Sequence, residues 1–123
     1  MKIAIFISDE GFGLSVRQKN NINNIFKLNL KIKITIFNSK RLTFLKEYFG
    51  NKIDYKHYPE TLYTVKKKNG ELDLQNTKKV LQNWIYKSDL NIKNLIKKNY
   101  KFDLIISDLV PEAFRYAEYL NIP

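Results

Sequence analysis

The segment that most constrains the fold is residues 2–17, KIAIFISDEGFGLSVR, because it leads from a strand into a helix through a glycine-containing turn. Residues 3–8 form a short and almost wholly apolar run, which is typical of a strand covered on both faces of a parallel sheet. The run ends in Asp9-Glu10-Gly11-Phe12-Gly13, and a helical pattern begins at about Leu14. The start of such a helix has unpaired backbone N–H groups and the positive end of the helix dipole. The sequence therefore predicts an anion-binding turn on the floor of a ligand cleft.

Strands and helices alternate along the rest of the chain. The first helix is predicted to span 14–28 and to end near Asn29. Further strands are predicted at 31–37, 52–58 and 102–107, and further helices at 40–49, 73–99 and from Pro111 onwards, with a long surface loop at 59–71. This order predicts an α/β fold, a Rossmann-like parallel sheet with helices on both faces. The first and fourth strands are the most apolar, so both are expected in the middle of the sheet, with the cleft at their carboxyl ends.

The length and composition of the chain narrow the classes of protein further. At 123 residues the chain has enough apolar content for one core, so residues 1–123 are expected to form a single domain. The last helix ends at Asn121-Ile122-Pro123, where another strand would be expected, and the fold is therefore predicted to be truncated at its C-terminus. Cysteine is absent, which excludes disulfides and thiolate metal sites and fits a cytoplasmic location. The one histidine, His57, is interpreted as a surface residue at the end of an outer strand, which argues against a zinc site.

The formal net charge of +10 raises two further alternatives. One is a basic module that binds nucleic acid. The other is a peripheral contact with anionic lipid on the inner face of a membrane, because residues 63–68 and 86–98 mix aromatic side chains with lysines. The nucleic-acid alternative is weakened by the dominance of lysine over arginine and by the lack of an arginine-rich stripe with interleaved aromatics.

The turn after the first strand carries the candidate anion-binding residues. Gly11 and Gly13 allow the backbone to approach a ligand closely, and Arg17 lies one turn into the helix, near enough to pair with a phosphate or carboxylate. The alternative is that the glycines only shape the turn and that Arg17 is solvated. Asp9 and Glu10 would repel a phosphate, so they are expected to bind sugar hydroxyls or to stay solvated.

The end of the fourth strand provides a candidate acid. Asp108 is expected to point into the cleft, where its carboxylate would orient a hydroxyl or act on a substrate proton. The alternative is a capping role ahead of Pro111, which opens the last helix at a favoured position.

Two common nucleotide sites are a poor match to the sequence. The third glycine of the dinucleotide motif G-x-G-x-x-G is replaced by Val16, and the second strand ends in Asn38-Ser39 instead of an acid for the ribose hydroxyls. The sequence also contains no G-x-x-x-x-G-K-[ST] loop, so a P-loop kinase or ATPase has no support.

Two segments, ISDEGFGLSVRQ and LIISDLVPEAFRYAEYLNIP, resemble the N-terminal domain of GT-B glycosyltransferases. The resemblance is to the branch that transfers N-acetylglucosamine from UDP to a lipid-linked cell-wall precursor, and to its relatives. It implies a turn that approaches the acceptor and the donor phosphates, facing the end of the fourth strand. The residues that it places there are Gly11, Phe12, Gly13 and Arg17 on the turn, and Ser107 and Asp108 on the facing strand end.

The chain departs from the family pattern at the turn. The family histidine that closes the turn is Leu14 here, and Asp9-Glu10 replaces an earlier Gly-His pair. In this family the C-terminal domain holds most of the nucleotide-sugar, so the resemblance implies the acceptor-side half of an enzyme, inactive alone. It further implies a UDP-sugar donor, a sugar or lipid-linked acceptor, and no metal or other cofactor. The competing hypothesis is a non-catalytic Rossmann-like module that binds or regulates.

Overall fold

The structure, a computed structural model, describes residues 1–28 and 31–123. It contains four strands, β1 (Lys2–Ile7), β2 (Lys33–Asn38), β3 (Asp54–His57) and β4 (Leu104–Asp108). The four α-helices are α1 (Gly13–Lys27), α2 (Leu42–Phe49), α3 (Leu74–Lys97) and α4 (Pro111–Leu120), and a short 3₁₀ turn spans Gly50–Lys52. The predicted order of elements is therefore confirmed, whereas the predicted helix end near Asn29 lies outside the described residues.

All four strands are parallel and lie in the order β3-β2-β1-β4, which confirms the predicted α/β, Rossmann-like fold. β1 is central, with Ile5 paired to Ile36 of β2 on one side and to Ile106 of β4 on the other. The prediction that β4 also lies in the middle is wrong, because it forms an edge of the sheet. Its apolar run has another cause: Ile106 packs into one helix layer and Ile105 into the other, so both faces are covered although one edge is open.

The two faces of the sheet carry separate apolar clusters. α1 and α2 cover one face, where Ile22 and Leu45 pack against alternate residues of β1 and β2. α3 and α4 cover the other face, where Leu95 and Tyr116 pack with Phe6 of β1. The rings of Phe6 and Phe37 are stacked with centroids 4.4 Å apart at the middle of this second layer. Helices on both faces leave the strand ends as the part of the sheet open to a ligand.

Helix α3 is longer than the sheet that it covers. Its 24 residues span about 36 Å, whereas the six residues of β1 span about 20 Å. The residues that it buries all lie in its second half: Ser88, Asn91, Ile92 and Leu95. Since a right-handed crossover runs its helix back from the carboxyl ends of the strands, the first half of α3 projects beyond that edge. The spacing of apolar residues places Leu74, Leu81 and Ile85 on the same stripe as Ile92 and Leu95, but these three residues are exposed.

The inner face of helix α4 differs from the face that apolar spacing indicates. That spacing groups Phe114 with Ala113, Ala117 and Leu120. Phe114 is exposed, whereas Glu112 and Tyr116 are buried beside Ala113. The helix is thus rotated so that a carboxylate enters the core, where its Oε1 accepts a hydrogen bond of 2.8 Å from the indole N–H of Trp84 on α3. No helix among the described residues is long and apolar enough to cross a membrane.

Candidate functional site

The carboxyl ends of β1 and β4 lie side by side, as the site hypothesis requires. Ile7 of β1 is paired with Asp108 of β4, and the backbone N–H of Ser8 donates to the carbonyl of Asp108 at 3.0 Å. From β1 the chain crosses to β2 on one side, while β4 lies on the other, so the direction of winding reverses between these two strands. Ligands of open α/β sheets bind at this reversal point. The set Gly11, Phe12, Gly13, Arg17, Ser107 and Asp108 is called the β1–β4 site below.

The glycine turn has the local structure that the sequence predicts. Gly11 has φ +72°, a left-handed conformation that favours glycine, and helix α1 begins at Gly13 with no side-chain cap at Phe12. Within the described residues, none of the backbone N–H groups of residues 11–15 donates a hydrogen bond to a protein oxygen. The turn therefore presents unpaired donors at the positive end of a helix dipole.

The ring of Phe12 closes one side of the turn. It lies against Phe44 of α2, with ring centroids 4.6 Å apart, and the guanidinium of Arg41 sits 5.4 Å from its centroid. Aromatic and cation–π contacts of this kind fix a half-exposed ring in place. Phe12 thereby anchors the glycine turn to helix α2.

Arg17 and Asp108 contact each other, although the sequence analysis gave them separate partners. The Nε and Nη2 atoms of Arg17 donate to the Asp108 carboxylate, and the side-chain amide of Gln18 donates to the same carboxylate at 2.7 Å. Asp108 is buried, whereas the Arg17 side chain is 56% exposed. The hydrogen bond from Arg17 to Asp108, followed by the charge of that carboxylate, raises the pKa of the guanidinium. Nη1 of Arg17 has no partner among the described residues, so it is the donor left for a ligand.

The Ser107 side chain forms hydrogen bonds within the turn that follows β4. Its hydroxyl donates to the carbonyl of Val110 at 2.8 Å and accepts from the N–H of the same residue at 3.2 Å. Leu109, between them, has φ +60° and is 60% exposed, a conformation that costs free energy for a side chain with a Cβ. The turn after β4 is thus held in a strained conformation at the edge of the cleft.

Asp9 is a structural residue, so the expectation that it stays solvated is wrong. Its buried carboxylate accepts hydrogen bonds from the Asn38 side chain at 3.3 Å and from the N–H of Lys40 at 3.1 Å. The backbone N–H of Asp9 donates to the hydroxyl of Thr61 at 3.1 Å, and the N–H of Thr61 in turn donates to the carboxylate. Asp9 therefore links the end of β1 to the end of β2 and to the loop that follows β3.

Glu10 fixes the same loop further along the chain. Its carboxylate accepts from the N–H of Thr64 at 2.5 Å and from the hydroxyl of Thr64 at 2.6 Å. The loop at 59–71 was predicted only as a surface connection, yet its first part lies against the end of β1. An apolar recess of about 380 Å³ opens between this loop, helix α3 and the strained turn, and its walls include Leu62, Leu81 and Leu109.

Several residues that build the site carry no signal in the sequence. Gln18 and Thr61 meet the site only through contacts that span 90 and 52 residues of chain. The isolated His57 is exposed, as predicted, and lies outside the β1–β4 site. No group of three His, Asp or Glu side chains among residues 1–28 and 31–123 has the geometry to hold a metal ion.

No protein-family model matches this chain, and no curated protein matches it with significance.

Proposed function

We propose that the chain is the N-terminal, acceptor-side half of an inverting GT-B glycosyltransferase that uses a UDP-sugar. The proposal is supported by the resemblance of two segments to that family and by the position of these segments in the fold. The segment ISDEGFGLSVRQ contains the turn after β1, and LIISDLVPEAFRYAEYLNIP contains β4 and the turn after it. Two segments that lie far apart in the sequence thus meet at one edge of the sheet.

The observation that carries the proposal is the set of unpaired N–H groups at residues 11–15 beside the free Nη1 of Arg17. In the transfer, the acceptor hydroxyl gives up its proton to solvent as its oxygen forms a bond to the anomeric carbon, while the bond from that carbon to the diphosphate oxygen breaks. Negative charge then develops on the departing diphosphate. Preorganised N–H donors and a guanidinium stabilise such charge without a metal ion.

Asp108 has a positioning role in this scheme. Its carboxylate accepts hydrogen bonds from Nε and Nη2 of Arg17 and from the amide of Gln18, which leaves Nη1 of Arg17 available to a ligand. In this proposal, Asp108 orients the acceptor side of the cleft. The position at which the family carries a histidine is Leu14, which packs against the apolar core, and this supports a half that is inactive alone.

The anion site can be tested on the chain as it stands. Inorganic pyrophosphate and UDP are titrated into ¹⁵N-labelled protein, and the backbone amides of Gly11 and Gly13 are expected to shift in a saturable manner. Arg17→Ala is expected to weaken pyrophosphate binding roughly tenfold, because it removes one charged donor. Arg115→Ala is the matched control, since Arg115 forms a similar ion pair with Asp89 at 2.7 Å on the α3–α4 surface. Shifts elsewhere, or an equal loss in both variants, would refute the anion site.

Transfer itself is tested by fusing residues 1–123 to a UDP-sugar-binding C-terminal domain and measuring UDP release. Leu14→His restores the residue type found in the family, and Leu14→Gln controls for the loss of apolar packing at the same position. We expect UDP release from Leu14→His to exceed that of both Leu14 and Leu14→Gln. Equal rates in all three proteins would count against a catalytic role for this position.

The second candidate is a non-catalytic binding module, which two observations favour. Leu14 contributes to the core instead of the cleft, and the charges of Arg17 and Asp108 largely neutralise each other. Under this hypothesis, pyrophosphate shifts the amides of Gly11 and Gly13, but no fusion variant releases UDP. The two experiments together therefore separate the candidates.

A further inference from the structure

A second cavity lies between the loop after β3 and helix α3. It has a volume of about 290 Å³, and its walls include the loop residues Pro59, Glu60, Thr61 and Tyr63 and residues from the middle of helix α3. This space is called the α3 cavity below. None of the residues that line it belongs to the β1–β4 site.

The walls of the α3 cavity combine aromatic rings with planar amides. Trp84 and Tyr63 supply the rings, and Asn83 and Asn91 supply the amides. An amide offers both an acceptor oxygen and two donor hydrogens, which is the complement of a row of hydroxyl groups. An aromatic ring offers an apolar surface to the C–H face of a saturated ring.

Asn91 is the decisive side chain. The residue is only 8% exposed, it lines the cavity, and its amide makes no hydrogen bond to a described residue. The amide atoms of Asn91 are not among the fully buried polar atoms that lack a partner, so what remains accessible of this side chain includes its polar end. The donors and acceptor of Asn91 are therefore available to a molecule in the cavity.

The aromatic walls are held in place by buried or paired groups. The indole N–H of Trp84 donates to Glu112, which is 2% exposed, so this edge of the indole is tied to α4 while the residue still lines the cavity. On the loop side, Lys40 forms an ion pair of 2.9 Å with Glu60 and lies 4.3 Å from the ring centroid of Tyr63. A site built on fixed rings loses little conformational entropy when it binds.

We propose that the α3 cavity binds a single pyranose ring, as a free sugar or as one unit of a glycan. Its volume lies at the lower end of the roughly 300–1,000 Å³ found for small-molecule sites, which suits one saturated ring better than a nucleotide. The wall carries one charge of each sign, Glu60 and Lys87, so the lining gives no strong preference for an anion. The proposal does not depend on the transferase function, since it concerns a different cavity.

The experiment uses Trp84, the only tryptophan of the chain, as the reporter. Methyl pyranosides of glucose, galactose and N-acetylglucosamine are titrated to roughly 50 mM, because single rings bind proteins with millimolar constants. At least one is expected to change the tryptophan emission in a saturable manner. Uridine and inorganic phosphate are titrated in parallel, and a response to either of them in place of the sugars would overturn the assignment.

Matched variants on α3 locate the response. Asn91→Leu keeps the side-chain size and removes the amide, and it is expected to weaken sugar binding at least tenfold. Asn94→Leu makes the same change at a residue that does not line the α3 cavity, and it is expected to leave binding unchanged. If Asn91→Leu fails to fold, the exposed Asn83→Ala replaces it, with an expected loss of severalfold. Retention of full binding in Asn91→Leu, or in Asn83→Ala where that variant replaces it, would overturn the proposal, and so would the lack of a saturable response to any sugar. Pyrophosphate shifts at Gly11 and Gly13 test the transferase site independently.

Discussion

Tyr58 has a buried hydroxyl without a hydrogen-bond partner among the described residues. Its ring packs edge-on against Phe6, with centroids 5.4 Å apart, so the apolar part of the side chain contributes to the core. Burial and, to a lesser extent, the charge of Glu112 raise the pKa of the phenol well above its usual value. The folded protein therefore holds Tyr58 neutral at pH values where the unfolded chain ionises it.

We expect Tyr58→Phe to change the free energy of unfolding at pH 7 by no more than about 1 kcal/mol, and in the stabilising direction. Because the folded pKa is raised, the stability contributed by this group is complete below the unfolded pKa of about 10 and declines as the pH rises beyond it. Tyr58→Phe removes this decline, so the free energy of unfolding of the variant rises relative to that of the wild type between about pH 10 and 12. Urea unfolding at each pH measures the effect, with the exposed Tyr86→Phe as the control. Parallel profiles for wild type and Tyr58→Phe would contradict the expectation.

Leu109 provides a second residue-level prediction. Its left-handed backbone costs about 1–2 kcal/mol for a residue with a Cβ, and glycine gives back about 0.4–1 kcal/mol through the entropy of the unfolded chain. We therefore expect Leu109→Gly to stabilise the fold by roughly 0.5–1 kcal/mol, because the exposed side chain contributes little burial. Thermal unfolding measures the change. Leu109→Ala keeps the Cβ and should show no gain; a gain of equal size in both variants would mean that the backbone is not the cause.

At the residue scale, local patterns predicted local structure and missed distant partners. The glycine at position 11 takes the positive φ that its place between strand and helix suggests. By contrast, Arg17 and Asp108 are 91 residues apart, and each has a plausible role alone. Only the register of β1 against β4 brings them into contact, and this register is a property of the whole sheet.

At the scale of elements, helix α3 shows what apolar periodicity can and cannot predict. Its span was predicted nearly to the residue, since a 24-residue amphipathic segment has few alternatives. Its burial was predicted only in part, because the periodicity of a helix does not report the length of the sheet beneath it. The same limit applies to β4, whose apolar run is equally compatible with a central or an edge strand when helices cover both of its faces.

Two isoleucines on α3 allow the difference in burial between its two halves to be measured. Ile85 and Ile92 are seven residues apart and lie on nearly the same face, but Ile85 is 59% exposed and Ile92 is 6% exposed. Ile92→Ala is expected to lower the free energy of unfolding by about 2–4 kcal/mol, whereas Ile85→Ala should change it by less than about 0.5 kcal/mol. Equal losses would show that the first half of α3 is packed in solution.

At the scale of the whole molecule, Asp9 joins three separate connections of the fold. Its carboxylate and N–H reach the end of β2 and the loop after β3, so it fixes the carboxyl edge of the sheet as one unit. Asp9→Ala is expected to cost about 2–3 kcal/mol, because it leaves buried donors without their charged acceptor. Glu10→Ala is the neighbouring control, with an expected cost below about 1 kcal/mol at its more exposed position. Urea unfolding compares the two, and similar losses would argue against the linking role.

The two edges of the sheet are unlike each other. β3 presents the exposed side chains of Asp54, Lys56 and His57, and charged groups on a short edge strand discourage the addition of another strand. β4 presents an aliphatic run. On its outer edge, the backbone N–H of Ile105 donates a hydrogen bond to the carbonyl of Pro123. The edge beside β4 is therefore the less protected of the two against the addition of a strand.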